Sequence, residues 1–373
     1  MVLKKFLSGI KDKIIKMEKN GTSKFLLSII IPCFNVEKSN KLEKLIHTLS
    51  KIKENDVEII FVDDGSKDNT LNLLNETKKR LNISVTVLTQ KNKGPGGARN
   101  TGLFASRGEY IWFVDADDDI NLSAISFLRK NFHKGYDFID YEAENNRNLP
   151  IALPCEEGEY EGKIAKHIAF NHIGIALNKH IKREFLIKNK LFYPEYCIYE
   201  DSAMYVLYPI YIEKFYKSKI LAYKQYDFPD SASRYRDFKY YDRLWTNKWS
   251  FEKAWKLLEN EEDKNVVLKK FTRLFLINSI HPNKIPDKSW ILSARIMKFY
   301  RQILNQFDIK TNPLNYWNFS KLFKMRFYLI WFFSRFLSDQ TKFFEEIRIK
   351  AWNRPFLPPE ITIKEGYNEK INN

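Results

Sequence analysis

Several things are scarce in this 373-residue chain, and each scarcity narrows what it can be. Three cysteines, Cys33, Cys155 and Cys197, lie far apart with no C-x-x-C pair, so neither a disulfide framework nor a thiolate zinc site is indicated. No run approaches the ~18 apolar residues that a membrane-spanning helix requires; Phe327–Phe333 is closed off by Arg326 and Arg335. Lysines 11, 13 and 16 interrupt any signal-peptide core. His47, His133, His167, His172 and His180 show no metal-ligand spacing. A chain in a reducing cytosol, free or peripheral to a membrane, is expected.

Negative charge is in deficit as well. There are 62 Lys and Arg against 46 Asp and Glu, a net charge of +16. Such a surplus favours polyanionic partners: phosphate-bearing substrates, anionic lipid or nucleic acid. No nucleic-acid-binding motif accompanies it, so no nucleic-acid partner is expected. Hydrophobic content of 44% and charged content of 29% are ordinary for a folded chain.

Residues 1–24 read as a basic amphipathic helix, with Leu3, Phe6, Leu7, Ile10, Ile14 and Met17 on one face. From residue 25 strands alternate with helices. Apolar runs at Leu27–Ile31, Val57–Val62, Ile83–Leu88 and Tyr110–Val114 read as strands buried on both faces, separated by helices near 39–53, 69–81 and 96–106. This order implies a parallel α/β sheet with right-handed crossovers. After about residue 237 glycine almost vanishes and a helical, aromatic- and basic-rich region follows. The expected division is 1–24, 25–236 (halves 25–120 and 121–236) and 237–373.

In such sheets ligands bind beyond the carboxyl ends of the strands. Asn35 follows the first strand, Asp63-Asp64-Gly65-Ser66 the second, and Asp115-Ala116-Asp117 the fourth. Two carboxylates two residues apart at a strand end suit Mg²⁺ or Mn²⁺ and a diphosphate; a solvated turn, with Asp119 capping the next helix, is the plain alternative. In the second cluster an acidic residue at the strand end can accept from a base or ribose; a turn with Asp68 or Asn69 capping the next helix is the plain alternative. Gly94-Pro95-Gly96-Gly97-Ala98-Arg99 is neither a P-loop nor G-x-G-x-x-G. Its glycines permit close backbone approach and Arg99 offers charge to a diphosphate; a tight loop without ligand is the other reading.

Taken in order, Ser28–Asn35, the Asp-Asp-Gly-Ser segment, Gly-x-x-x-Ala-Arg-Asn-x-Gly and Asp-x-Asp closely resemble the family 2 glycosyltransferases with a GT-A fold. The resemblance is strong over 26–120 and weaker to about 235. It implies an inverting transfer from a nucleotide diphosphate sugar, UDP-linked by the same resemblance, to a glycan or glycolipid acceptor such as lipo-oligosaccharide or capsule. It assigns the nucleobase pocket to Pro32 and Phe34, a base contact to Asp64, and nucleotide approach to Gly94, Gly97 and Arg99. Asn35 and Ala116 join the nucleotide-sugar rim. Asp115 and Asp117 would hold ribose, metal and diphosphate. Phe192-Tyr193-Pro194-Glu195 followed by Glu200-Asp201 matches the family's Phe-Pro-Glu and Glu-Asp, with one inserted residue, and makes Asp201 the catalytic base. Its alternative is an N-cap for a helix starting near Ser202. Lys179 and the Tyr223–Tyr226 segment also fall at family positions, without an assigned role. A nucleotidyltransferase, and a non-catalytic sugar-nucleotide-binding scaffold, are the rival readings. The basic N-terminal helix and residues 301–350, with nine Lys and Arg against four acids, suit either docking on anionic lipid or plain packing.

Overall fold

The computed structural model describes residues 25–37, 41–145, 152–171, 177–226, 238–280, 289–311 and 321–362. The expected N-terminal helix over 1–24 lies outside them. Four parallel strands form one half of a nine-stranded sheet: β1 (Phe25–Cys33), β2 (Val57–Asp63), β3 (Ser84–Thr89) and β4 (Gly108–Phe113), in the order β3-β2-β1-β4. Their register runs Leu27↔Val57, Ile59↔Val85 and Leu27↔Tyr110. Crossovers are made by α1 (Lys41–Leu49), α2 (Thr70–Arg80) and α3 (Gly94–Ala105). All four strands and three helices agree with the expectation to within a few residues. Every residue of β2 is buried and β1 exposes only Pro32 in part, which is why both read as unbroken apolar runs.

The second half was not expected in detail. β5 (Asp119–Ile120), β6 (Phe138–Asn145), β7 (Gly158–Glu161), β8 (Lys179–Lys182) and β9 (Lys214–Gln225) continue the sheet as β4-β8-β6-β9-β5, with β7 beside β9. β8 runs antiparallel to β4 and to β6, so the sheet is mixed. Among the helices, α4 (Ser123–Asn131), α5 (Gly162–Asn171), α6 (Arg183–Lys188) and α7 (Met204–Tyr211) accompany this half. Asp119, read as a possible cap for α4, sits in β5 and accepts from Thr48 Oγ1 at 2.8 Å. Asn121 Oδ1 instead takes the Ser123 N–H at the start of α4. Lys179 is buried and bonded to Asp140 at 2.7 Å, with Lys217 on the other oxygen at 3.2 Å, a structural placement inside the sheet.

From residue 238 the described residues are mainly helical, as expected: α8 (Asp242–Leu257), α9 (Glu261–Ile280), α10 (Trp290–Asn305), α11 (Lys321–Phe333) and α12 (Thr341–Trp352). Aromatic rings fill this part, with Phe251 stacked on Phe271 at 4.1 Å and Phe271 on Tyr300 at 5.5 Å. Such pairs add about 0.5–1.5 kcal/mol each beyond burial. The buried apolar residues form one cluster from Leu26 to Ile347, so helices and sheet share a core. Among the described residues no helix is long and apolar enough to cross a membrane.

Candidate active site

A loop from the second half of the sheet, residues 192–203, is fastened in place by α3, which also ties it to the turn after β4. Asn100 holds the loop twice: its Nδ2 donates to Tyr193 O (2.8 Å) and its Oδ1 accepts from Tyr193 N (2.9 Å). Lys93 Nζ pairs with the buried Glu195 at 3.3 Å. The Arg99 guanidinium bonds Glu200 Oε1 through Nη1 and Asp115 Oδ1 through Nη2, the latter at 2.7 Å. A Cβ on Gly96 would lie 2.2 Å from Pro194 O. Gly94 has φ +78°, and a Cβ there would meet Cys197 O at 2.8 Å. Gly97, also buried, backs onto Lys93 and Gln90.

The close approach that the glycines permit is therefore made by the protein's own backbone. Arg99 is buried, and its two terminal nitrogens are engaged by Glu200 and Asp115, so it joins the Asp-x-Asp turn to the Glu200-Asp201 segment. Burial alone would lower its pKa, but the charges of Asp115 and Glu200 more than reverse that and raise it, leaving a fixed cation.

Asp201 follows in a 3₁₀ turn, Glu200–Ala203, entered through Tyr199 in the left-handed region (φ +65°). It is half-buried and accepts from the Tyr205 hydroxyl at 2.7 Å on Oδ2; no side-chain cap of a helix forms here. Glu200, fully buried beside it, is pushed up to about 7 by burial, against which Arg99 works.

At the end of β4, Asp115, Asp117 and Asp118 bring one carboxylate oxygen each within 4.8 Å of one another. Asp118 is buried: Tyr223 donates its hydroxyl to Oδ2 (2.6 Å) and Tyr226 its N–H to Oδ1 (2.8 Å), while the Asp115 N–H donates to the Tyr223 oxygen (3.2 Å). Burial, and then the charges of Asp115 and Asp117, drive the Asp118 carboxyl well above its ordinary value. Three acids crowded on one turn, with Arg99 as the cation bonded to Asp115, form the hard-oxygen set that Mg²⁺ or Mn²⁺ takes. The residues present fit a divalent cation. Ala116, buried between the two motif acids, keeps the turn tight.

On the β1–β2 side Phe34 is 47% exposed beside the half-buried Pro32, an apolar platform at the strand end. Asn35 (φ +52°) ties the β1 loop to the β2 loop: its N–H donates to Ser66 Oγ (2.9 Å) and its Oδ1 accepts from Lys67 N (2.8 Å). Asp64 is buried under this rim, with Oδ1 accepting from Gln90 Nε2 (2.6 Å) and Lys93 N (2.9 Å). Burial raises its pKa to about 7. Asn69 is the N-cap position of the next helix, without a side-chain cap bond, and Asp68 Oδ1 in the turn before it accepts from Thr70 N.

The helical region reaches this site. Asp242 Oδ2 accepts from Ile198 N (2.9 Å) and from Trp352 Nε1 (2.9 Å), and Oδ1 is bonded to the buried Arg348 (2.5 Å). The Trp352 ring lies 3.4 Å from where a Gly94 Cβ would be. Asp118 and Asp242 were missed from sequence, and Glu200 and Tyr223 lay in quoted motifs without a role of their own. Asp118 carried a signal, as the third acid of the run Asp115-Ala116-Asp117-Asp118-Asp119.

Residues 28–148 match the family described as Glycosyl transferase family 2. The chain is 29% identical over 174 residues to poly(ribitol-phosphate) beta-N-acetylglucosaminyltransferase TarS of Staphylococcus aureus, covering 45% of this chain and 29% of that protein. It is 36% identical over 111 residues to GalNAc(5)-diNAcBac-PP-undecaprenol beta-1,3-glucosyltransferase of Campylobacter jejuni, 30% of this chain and 35% of the other. It thus spans about a third of the length of these curated relatives. The crystal structure of S. aureus TarS 1–349 in complex with UDP-GlcNAc shares the fold with a TM-score of 0.62 at 21% identity, over 74% of this chain and 81% of that one. Sequence and fold point the same way: residues 28–148 match the family 2 glycosyltransferase model, and the chain takes the GT-A fold of TarS with a helical C-terminal region.

Proposed function

We propose that the chain is an inverting glycosyltransferase that moves a sugar from a nucleotide diphosphate, UDP by preference, to a hydroxyl of a cell-surface glycan. One observation carries the reading: Arg99 binds the Asp-x-Asp turn and the Glu200-Asp201 segment to a single guanidinium. A scaffold that only bound nucleotide would have no reason to hold a half-buried carboxylate against the leaving-group acids. The relatives support the acceptor class by name, one acting on poly(ribitol-phosphate) and one on an undecaprenol-linked glycan.

In this reading Asp201 takes the proton from the acceptor hydroxyl as its oxygen bonds to the anomeric carbon. The bond from that carbon to the diphosphate breaks, and the nucleoside diphosphate leaves with the electron pair. Tyr205 orients the Asp201 carboxylate through its 2.7 Å hydrogen bond. Phe34 and Pro32 offer a face for the base, and Asn35 and the Asp64–Gln90 pair fix the loops around it. Asp115 and Asp117, with Asp118 behind them, would hold Mg²⁺ or Mn²⁺, which when bound offsets charge on the departing diphosphate. The work is placed at the cytoplasmic face of a membrane, where lipid-linked acceptors are available.

The test is UDP release from a panel of UDP-sugars, with Mn²⁺ or with chelator, for wild type and Asp117→Ala. Release confined to one or two donors, dependent on the metal and lost in the variant, is expected. No binding of any UDP-sugar by thermal shift would overturn the reading.

A further inference from the structure

Seven of the fifteen large apolar side chains that lie exposed among the described residues gather on one face: Trp290, Ile291, Tyr328, Leu329, Phe332, Phe333 and Phe336. Singly exposed apolar residues are ordinary; a cluster marks an interaction surface. The rings touch across elements, with Trp290 5.6 Å from Phe333 and Phe336 5.4 Å from Phe332, and Phe336 is 73% exposed. In α11 the positions 328, 329, 332 and 333 share one helical face, and Phe336 in the following turn continues it. Phe327 and Ile330 face the core instead. From 327 to 333 this helix is apolar both toward the core and toward solvent, and the outer face needs a second apolar medium.

The charge around the patch selects that medium. Residues 289–338 hold eight Lys and Arg against one acid, Asp308. Lys298 reaches Arg335 O at 3.5 Å, and Arg335, itself exposed, flanks Phe336. A second copy of this chain would set these cations against their own kind. Anionic headgroups over an apolar acyl layer complement both features.

The place in the fold adds a reason. Gln340, just before α12, is held by Arg295 at 2.9 Å beside the patch, and Trp352 at the far end of α12 packs by Gly94 in the active site. Twelve helical residues span about 18 Å. From these observations we infer that the α10–α11 face docks on an anionic phospholipid bilayer and holds the active site about one helix length from the membrane. The inference deepens the proposed function, because a lipid-linked acceptor would be presented at that distance.

Flotation of the full chain with phosphatidylglycerol–phosphatidylcholine vesicles tests it, against phosphatidylcholine alone and with added salt. Wild type is expected to float with the anionic vesicles, to lose binding in high salt, and to ignore neutral ones. Phe332→Ser with Phe336→Ser should cut the bound fraction at least tenfold while UDP-sugar binding by thermal shift stays unchanged, which shows the variant folded. Arg335→Glu should weaken binding with a smaller salt dependence. No flotation of wild type at low salt, or a double variant that floats equally well, overturns the inference. So does a wild-type dimer in solution that the same substitutions dissolve. Vesicle binding by a protein that releases no nucleoside diphosphate would count against the transferase reading alone.

Discussion

The two ends of the parallel sheet both bury carboxylates, and they treat them in opposite ways. At the amino ends of β1, β2 and β4, Glu58 is fully neutralised. It accepts from Ser28 Oγ (2.7 Å) and from Arg107 N, Nε and Nη2 (2.7, 3.0 and 2.7 Å), and Gly108 N closes the ring on Ser28. At the carboxyl ends Arg99 joins Asp115, clustered with Asp117 and Asp118, to Glu200, which adjoins Asp201, and the carboxyls of Asp118 and Glu200 are driven upward. An arrangement built for stability alone would resemble the first end. The second keeps like charges together at a cost in stability, as sites for cations and leaving groups do.

The largest effect that separates the two ends is catalytic. Asp201→Asn keeps the shape and the Tyr205 contact but cannot take a proton, and should lower kcat for transfer by about 10³-fold, within the usual range for a general base. Donor binding by titration should stay within twofold. A variant that loses donor binding instead would show that Asp201 belongs to the nucleotide site.

Next in size is a contrast in stability. Glu58→Ala strands Ser28 Oγ and Arg107 N without their acceptor and should destabilise by about 2–4 kcal/mol in urea unfolding, with kcat of the folded fraction unchanged. At the other end, Asp117→Asn in the presence of chelator should stabilise by about 0.5–1 kcal/mol, since it removes one of three neighbouring negative charges. Saturating Mn²⁺ should reverse that order by raising wild type about 2–3 kcal/mol while leaving the variant behind. Equal loss of stability from both substitutions would erase the distinction between the ends.

How much of this contrast could be read beforehand follows from what sequence encodes locally. β1 to β4 and α1 to α3 were legible because strands buried on both faces give unbroken apolar runs and the helices between them are short. β7, as Gly158-Glu159-Tyr160-Glu161, and β9, with Lys214, Lys217, Lys219 and Lys224, have no such run; their place is set by pairing with β6 and with each other. Asp115, Asp117 and Asp201 were named, yet the tie between them was not, because Arg99 and Glu200 stand 101 residues apart. The same distance hid the packing of the Gly94–Gly97 loop against the backbone of Pro194 and Cys197. Asp242 and Arg348, 106 residues apart, gave no hint that α12 buttresses the 192–203 loop.

The smallest effect concerns pH and tests whether the carboxyl-end acids as a group are held against their preference. Burial raises Asp64 to about 7 in the folded protein, whereas the unfolded chain gives it the ordinary value near ~4. Between those values the folded state binds a proton that the unfolded state does not. Stability is therefore fully present below about pH 4 for this group and declines as pH rises through 7. Glu200, raised to about 7, and Asp242, raised to about 6, act in the same direction. Wild type should melt at a lower temperature at pH 8 than at pH 5.5. Asp64→Asn keeps an oxygen for Gln90 and Lys93 but cannot ionise, so its melting temperature should fall less over the same interval. A variant whose pH slope matches wild type would mean that hydrogen bonds from Gln90, Lys93 and Gly94 compensate the Asp64 charge in full. This acid would then be as well satisfied as Glu58, and the asymmetry between the two ends would rest on the Asp-x-Asp turn and the Glu200-Asp201 segment alone.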